Sequence, residues 1–512
     1  MGKPEDSSIQ AMEDPQTSPP TTNDVTRASN ENVVWWDSDS DPENPMNWTD
    51  TTRNTTCACL AFLSFVAPLG SSICAPGVTS IMIEFRNTSL VLATLVVSIY
   101  VLGFAFGPLL FAPLSELVGR LPAYHISNVG FVAFTVACAL APTLNTLVAF
   151  RFLEGFFGCV VLTNGSGTMM DMTPQEKRGR YVALVSIGPL LGPILGPVVG
   201  GFVADGLGWR WTFWILAILI GAVMIAMMLF MKESYAPIIL DRKAEKLRKE
   251  TGNMELRSKL GEGLTAGRLF WRSIARPLRL LALSPINLMV ALYVAVVYGY
   301  IYLMLTTVSA VFRDNYGFST KLTGLAYLGL GIGSMVGVCA SSVASDKAVQ
   351  RRQAEIEHEV ELSSSTALGD TEKTTEVEPE VRLQFVLVGG FLLPIGFFFY
   401  GWVVYYHVHW FVPIFAMVFI GAGNMILFMG LVMYLVDSAG MYAASALAAN
   451  SLIRSIAGAF LPLAGLPMFE ALGFGWGNSV LGFIALVMAP IPFLLKKYGA
   501  WLRAKFDDKE KI

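Results

Sequence analysis

Arg151 and Glu154 stand three residues apart inside an apolar stretch, in the run Arg151-Phe-Leu-Glu-Gly155-Phe-Phe-Gly158. That spacing puts both on one helix face, where they can pair. A charge held deep in an apolar medium costs about 3 kcal/mol or more unless it is paired or hydrated, so each is a candidate for function. Two uses fit. In one, Glu154 carries a proton and Arg151 tunes its affinity through charge proximity. In the other, the two form a structural ion pair near a membrane interface, since Arg151 lies only a turn or so into its stretch. Gly155 and Gly158 would let a neighbouring helix approach closely.

A second constellation is backbone chemistry. Gly188-Pro189-Leu-Leu-Gly192-Pro193-Ile-Leu-Gly196-Pro197-Val-Val-Gly200-Gly201 carries three Gly-Pro pairs four residues apart. On a helix, these form a smooth ridge where each proline removes an intrahelical hydrogen bond and each glycine permits close packing. A channel-forming break and a dimer interface use the same residue types. Charges also cluster around one short turn. Glu116 and Arg120 flank Gly119, and Asp171 with Arg178 lies near a second loop on the same side. Interlocking ion pairs among them would make a gate, and plain interfacial charges are the alternative. Further along, Asn424, Asn450 and Arg454 interrupt apolar stretches, while Tyr293, Tyr298, Tyr300 and Tyr302 crowd another. Aromatic rings with polar tips suit a cavity for bulky amphiphilic ligands, with Tyr298 and Tyr302 as candidates, although such tyrosines also serve as interface anchors.

The elements that position these groups follow from composition. Of 512 residues, 54% are hydrophobic and 15% charged, and mean hydropathy is +0.55. Soluble domains carry about 25% charged residues, so lipid is the solvent that suits this chain. A bilayer core needs roughly 20 apolar helical residues per crossing. Such segments recur near 54–76, 91–113, 123–141, 146–170, 179–204 and 210–231, and again near 285–311, 322–344, 382–403, 408–436, 441–467 and 472–495. The reading is an all-α integral membrane protein: twelve transmembrane helices in two six-helix bundles, 53–231 and 285–497. A disordered N-terminal arm (1–52), a linker (232–284) and a tail (498–512) complete it. Two halves of this kind place a site near the midplane between them.

Lys and Arg concentrate in alternate loops: Arg120; Lys177, Arg178 and Arg180; the linker around Arg242 to Lys249; Lys347, Arg351 and Arg352; and the tail. Both termini are therefore expected in the cytoplasm. No positive start followed by an apolar run opens the chain, so the first span is expected to act as its own targeting signal. Segment 240–260 reads either as an amphipathic helix on anionic lipid or as a solvated, charge-laced helix. Loop 346–380 is Glu-, Ser- and Thr-rich and expected to be mobile. Of three Asn-x-Ser/Thr sequons, at Asn47, Asn54 and Asn87, only Asn87 falls in an expected external loop, where it would be glycosylated. Six scattered cysteines lack metal-ligand spacing, apart from a weak Cys57-x-Cys59 pair, and read as packing residues. No metal and no cofactor are expected. The net charge of −3 gives no sign of nucleic-acid binding.

These motifs resemble the major facilitator superfamily. Gly192, Gly196, Pro197, Gly200 and Gly201 match its antiporter motif; Arg151 and Gly155 match its RxxxG motif; and Gly119-Arg120 matches the end of its GxxxDxxGR loop signature. Asp41-Pro-Glu-Asn-Pro-Met-Asn-Trp48, Glu233-Ser-Tyr-Ala-Pro237, and Tyr434-Leu-Val-Asp437 through Asn450 to Arg454 look like the fungal branch of twelve-span drug:proton antiporters. The resemblance implies alternating access driven by proton influx, with Arg151 linked to coupling and the Gly192–Gly201 run governing helix bending and transport direction. Three departures stand in the loop signature: Glu116 for the usual aspartate, Ala112 for the first glycine, and Leu121 for the second basic residue. Glu154 replaces a frequent glutamine, and this extra carboxylate would alter coupling or select cations.

The expected function is thus proton-coupled export of small hydrophobic or amphiphilic compounds, such as drugs, fungicides or secondary metabolites. The expected setting is a monomer in the plasma membrane, with the vacuolar membrane as alternative. A polyamine exporter or an uptake symporter shares the architecture. No GxxxxGK[ST] phosphate loop is present, so direct drive by ATP is not expected. A membrane-embedded enzyme would need clustered His or acidic groups, and the chain has only four histidines. A non-transporting sensor is the remaining rival.

Overall fold

The computed structural model describes residues 32–260, 266–365 and 377–506. Among these, eleven apolar helical stretches are long enough to cross a bilayer. In the first half they are Asp50–Glu84 (span 1), Leu90–Leu117 (span 2), Arg120–Ala139 (span 3), Leu144–Met172 (span 4), Gln175–Gly206 (span 5) and Arg210–Phe230 (span 6). In the second they are Pro285–Tyr316 (span 7), Thr320–His358 (span 8), Pro379–Tyr405 (span 9), Phe411–Ala439 (span 10) and Ala443–Arg503. The last, at 61 residues, would run about 90 Å as one helix, three times the hydrocarbon thickness. It breaks at Gly473, whose φ of 73° departs from the helix, and so supplies spans 11 and 12. Only glycine takes that left-handed conformation without a steric penalty. The twelve crossings expected from the apolar periodicity are therefore present.

Local signals set the helix ends. Thr49, Ser89, Ser284 and Ser319 each accept a backbone N–H at the first turn of a helix, and Thr143 forms a capping box with Thr146. Gly317, left-handed at φ 64°, ends span 7. Each half has its own core. Leu60, Leu63, Val66, Tyr100, Phe131 and Ile220 pack together in the first, and Val290, Tyr300, Phe397, Ile420 and Leu431 in the second. Large apolar groups such as Phe202, Ile225, Leu229, Phe483 and Val487 point outward, as lipid-facing positions require.

Two segments differ from expectation. The helix Leu328–Ser365 runs well into the expected loop 346–380; Glu, Gln, Arg and Ala are strong helix formers, and they populate this extension. Residues 366–376 lie outside the described residues. In the expected disordered arm, 1–31 lie outside them too, but the following residues are ordered. Strand Val33–Val34 pairs in parallel with Arg257–Ser258, within a small compact unit that also holds helix Ala236–Thr251. That helix bears i,i+4 pairs, Lys249 to Glu245 at 2.7 Å and Lys246 to Glu250 at 4.0 Å, in keeping with the charge-laced reading of 240–260. The more strongly amphipathic linker helix is Ala266–Leu283, with Trp271 and Leu278 exposed.

In the small unit, the buried Asp41 carboxylate accepts the backbone N–H groups of Asp37 (3.0 Å) and Glu43 (2.9 Å). Lys243 lies 3.4 Å away. These amides, more than the lysine, hold the Asp41 carboxyl below its usual 3.8. A lowered folded-state value stabilises the folded form above the unfolded value and loses that contribution as pH falls through the folded one. Amide protection at Glu43, read by hydrogen exchange, should therefore persist at neutral pH and fade only below about pH 4. In Asp41→Ala it should be absent at every pH.

Candidate functional site

Arg151 and Glu154 are both completely buried in the first bundle, and they pair at 2.9 Å. The guanidinium also donates to three main-chain carbonyls: Gly70 (2.9 Å) and Ser71 (3.1 Å) in span 1, and Val96 (2.9 Å) in span 2. It sits 4.6 Å from the Tyr100 ring centroid, an additional cation–π contact. Glu154 accepts from Thr135 Oγ1 at 3.0 Å and from Cys138 Sγ at 3.5 Å. One cation thus ties span 4 to spans 1 and 2, and one carboxylate ties it to span 3. The Gly70 and Ser71 carbonyls are available because they lie in the last turn of the helix Asp50–Ser72, whose final carbonyls have no partner within the helix. Neither residue lines the cavity described below.

The Gly-Pro run uses separate faces of span 5. Gly188, Gly192, Gly196 and Gly200 lie against the backbone of span 1, from Ser64 to Ile73, so closely that a Cβ at any of them would overlap main-chain or Ser72 atoms. Gly201 and Pro197 instead meet Gly324 at the start of span 8 in the second half. Pro189 and Pro193 face the cavity. The glycines bring two helices together within the first bundle, and the prolines form part of a wall.

The charges around Gly119 also assemble. Arg120 donates to Asp171 at 3.1 Å and to Ser115 at 2.8 Å, and its guanidinium lies 4.7 Å from the Tyr235 ring. Gly119 has φ 107°, a left-handed backbone that favours glycine. The residue that organises this turn is Glu233, which in the sequence stands out only as part of the Glu233–Pro237 motif. Its carboxylate accepts the backbone N–H of Arg120 (2.9 Å) and Leu121 (3.1 Å), at the free N-terminal turn of span 3. It also accepts those of Ser234 and Tyr235. Arg178 donates to the Met170 carbonyl at 3.4 Å rather than to an acid. Glu116 sits one turn before Gly119 on span 2. Asn87 occupies the short loop between spans 1 and 2, where its side chain accepts from Ser89 N–H at 2.8 Å.

Between the halves lies a cavity of about 280 Å³. The first half contributes Phe104, Leu162 and the proline wall; the second contributes Tyr298, Tyr302, Asn424, Phe428 and Arg454. Four of the five candidate cavity residues thus come together. Asn450 does not: it is buried away from the lining, with its Oδ1 unpartnered. Tyr298 and Tyr302 lie 5.2 Å apart, ring to ring, and Arg454 stands over Tyr298 and Phe428 at 5.1 and 5.4 Å. Asn424 is anchored to the Val297 carbonyl at 2.6 Å.

On the side away from the termini, the two halves touch. Tyr302 donates to Ser71 Oγ (3.0 Å), Ser309 to the Ala75 carbonyl (3.3 Å), and Arg313 to Thr79. Ser71 therefore serves two partners, its carbonyl holding Arg151 and its hydroxyl holding Tyr302. Nothing in the sequence marks it except its position at the end of a Pro- and Gly-containing apolar run.

Residues 60–462 match the Major Facilitator Superfamily profile. The chain is 45% identical to the MFS-type transporter tndD of Aspergillus flavipes, covering 95% of this chain and 88% of that one. It is 47% identical to the MFS-type transporter penM of Penicillium rubens, over 92% and 89%, and 45% identical to the efflux pump radE of Floropilus chiversii, over 92% and 85%. Among solved structures, a D-xylose-proton symporter superposes with a TM-score of 0.63 at 16% identity, covering 86% of this chain and 97% of that one; the likeness is one of fold. A match over most of the length, on twelve crossings in two bundles around a shared cavity, leads to one conclusion: the chain belongs to the Major Facilitator Superfamily and is a multi-pass membrane transporter.

Proposed function

We propose that this protein is a proton-coupled exporter of small amphiphilic compounds of the secondary-metabolite type, working by alternating access in the plasma membrane with both termini in the cytoplasm. The observation that carries the reading is the cavity between the halves, walled by Pro189 and Pro193 on one side and by Tyr298, Tyr302 and Phe428 on the other. A cavity closed by contacts on one face is what a rocking-bundle carrier needs in one of its two end states. With cytoplasmic termini, as the Lys and Arg distribution supports, that state would load from the cell interior. A relative named as an efflux pump favours outward movement. Among the described residues no Asp or Glu lines the cavity, which argues against a polyamine cargo.

Coupling would run through Ser71. Protonation of Glu154 removes the counter-charge from Arg151, whose grip on the Ser71 and Gly70 carbonyls then changes. Ser71 is also the partner of Tyr302 in the opposite half, so the proton site and the closed face share one residue. The test is pH-gradient-driven uptake of a fluorescent amphiphile panel into inverted plasma-membrane vesicles. Acidifying the lumen should drive uptake by the parent protein. Glu154→Gln should remove the dependence on the gradient while leaving exchange of cargo down its own gradient intact. Uptake that ignores the pH gradient in the parent would rule out proton coupling.

A further inference from the structure

The cavity has an uneven charge inventory. Among the described residues, and apart from tyrosine hydroxyls, Arg454 is the one ionisable group in its lining; no Asp, Glu, Lys or His contributes. Arginine stays protonated in proteins, so the cavity carries a permanent positive charge. None of the ion pairs found among the described residues includes Arg454. Its Nε is buried with no hydrogen-bond partner. Arg151, by contrast, has a carboxylate and three carbonyls: the fully buried arginine is saturated and the half-buried one is not.

The rings of Tyr298 and Phe428 lie 5.1 and 5.4 Å from the Arg454 guanidinium carbon. Aromatic faces offset part of a cation's desolvation cost, but they leave its N–H donors unused. Several other polar groups of the lining are already engaged with protein: Ser64 donates to the Val185 carbonyl, Ser334 to Leu330, Tyr327 to Leu305, and Tyr302 to Ser71; Ser166 and Ser186 add neutral hydroxyls to the wall. A ligand entering this space therefore meets mostly apolar walls, a few neutral hydroxyls and one under-used, fully charged guanidinium. The complement is an apolar body bearing one anionic oxygen group, because charge-assisted bonds from arginine to such oxygens are the strong ones.

We propose that the cavity selects amphiphilic organic acids, carrying a carboxylate or a comparably acidic phenolate, with the anionic oxygens on Arg454 and the apolar body between Tyr298, Phe428 and the Pro189–Pro193 wall. This deepens the export reading above and rests on it. It narrows the expected amphiphilic cargo to its anionic members.

The test uses three probes of one shape and three charges: 2-naphthoate, 2-naphthamide and 2-naphthylmethylammonium. Binding to the full chain in neutral-lipid nanodiscs is measured by calorimetry at pH 7, alongside gradient-driven uptake of the same probes into inverted vesicles. 2-Naphthoate should bind about tenfold or more tighter than either of the others. Arg454→Gln should erase that preference by weakening naphthoate alone, and Arg454→Lys should keep a reduced one. The parent protein's charge preference stands as a test even if a variant folds poorly. A preference for the ammonium probe, or equal binding of all three, overturns the anion site and leaves export to stand on uptake. Naphthoate-selective binding without inward pumping in the vesicles overturns export and leaves the anion site standing. Failure of both readouts overturns both.

Discussion

Arg151→Ala is expected to abolish gradient-driven transport and to destabilise the purified protein, and Arg151→Lys to lose most transport as well. Alanine leaves Glu154 as an uncompensated charge in a completely buried position and strips a donor from the carbonyls of Gly70, Ser71 and Val96. Breaking a buried pair by removing one partner costs about 3–5 kcal/mol, a large fraction of a typical folding free energy. Lysine restores the charge but not the planar fork that reaches spans 1, 2 and 4 together. A thermal melt and vesicle uptake, measured side by side, separate structure from coupling. The double variant Arg151→Ala/Glu154→Gln removes the stranded charge and should recover part of the lost melting temperature while uptake remains uncoupled from the pH gradient. If gradient-driven uptake returned along with stability, the pair would be a structural brace and the coupling mechanism would be wrong.

Gly200→Val is the second large effect. A Cβ at Gly200 would occupy the space of the Ile73 carbonyl oxygen, and backbone cannot step aside as a flexible side chain would. Overpacking of a tight interface costs about 1–3 kcal/mol. Here the strain would fall where span 5 meets the turn at Ala75–Gly77 of span 1, next to the contacts that close the face away from the termini. Transport should drop by about tenfold or more, since each 1.4 kcal/mol is a factor of ten. The matched control is Gly206→Val, near the end of the same helix, where a Cβ meets open space and transport should stay close to the parent level. Equal losses at both positions would show that valine harms this helix by propensity rather than by contact.

The ionisable candidates were partly legible in advance, and each outcome has a physical cause. The i,i+3 spacing of Arg151 and Glu154 predicted a pair, because helix geometry alone brings such residues together. It carried no information about the three carbonyls that complete the arginine's shell, since these belong to helices 55 to 81 residues away. Arg454 was visible as an interruption of an apolar span, but whether it had a carboxylate partner depended on which helices faced it. Asn450 interrupts the same span four residues earlier and points elsewhere. Glu233 lies in a linker motif, and its part in holding the start of span 3 arises from a contact across 113 residues.

Apolar run length, the glycine-proline spacing, helix caps and loop charges are properties of consecutive residues, and bilayer thickness converts them directly into twelve crossings in two sets of six. What only the tertiary structure decided is which face of each crossing meets which neighbour: glycines of span 5 against span 1, its prolines toward the cavity, Glu154 inside the first bundle and Arg454 beside open space. In lipid, every face of such a helix is apolar enough to turn outward, so hydropathy ceases to discriminate among faces. The choice falls to close packing and hydrogen bonding between segments distant in the chain.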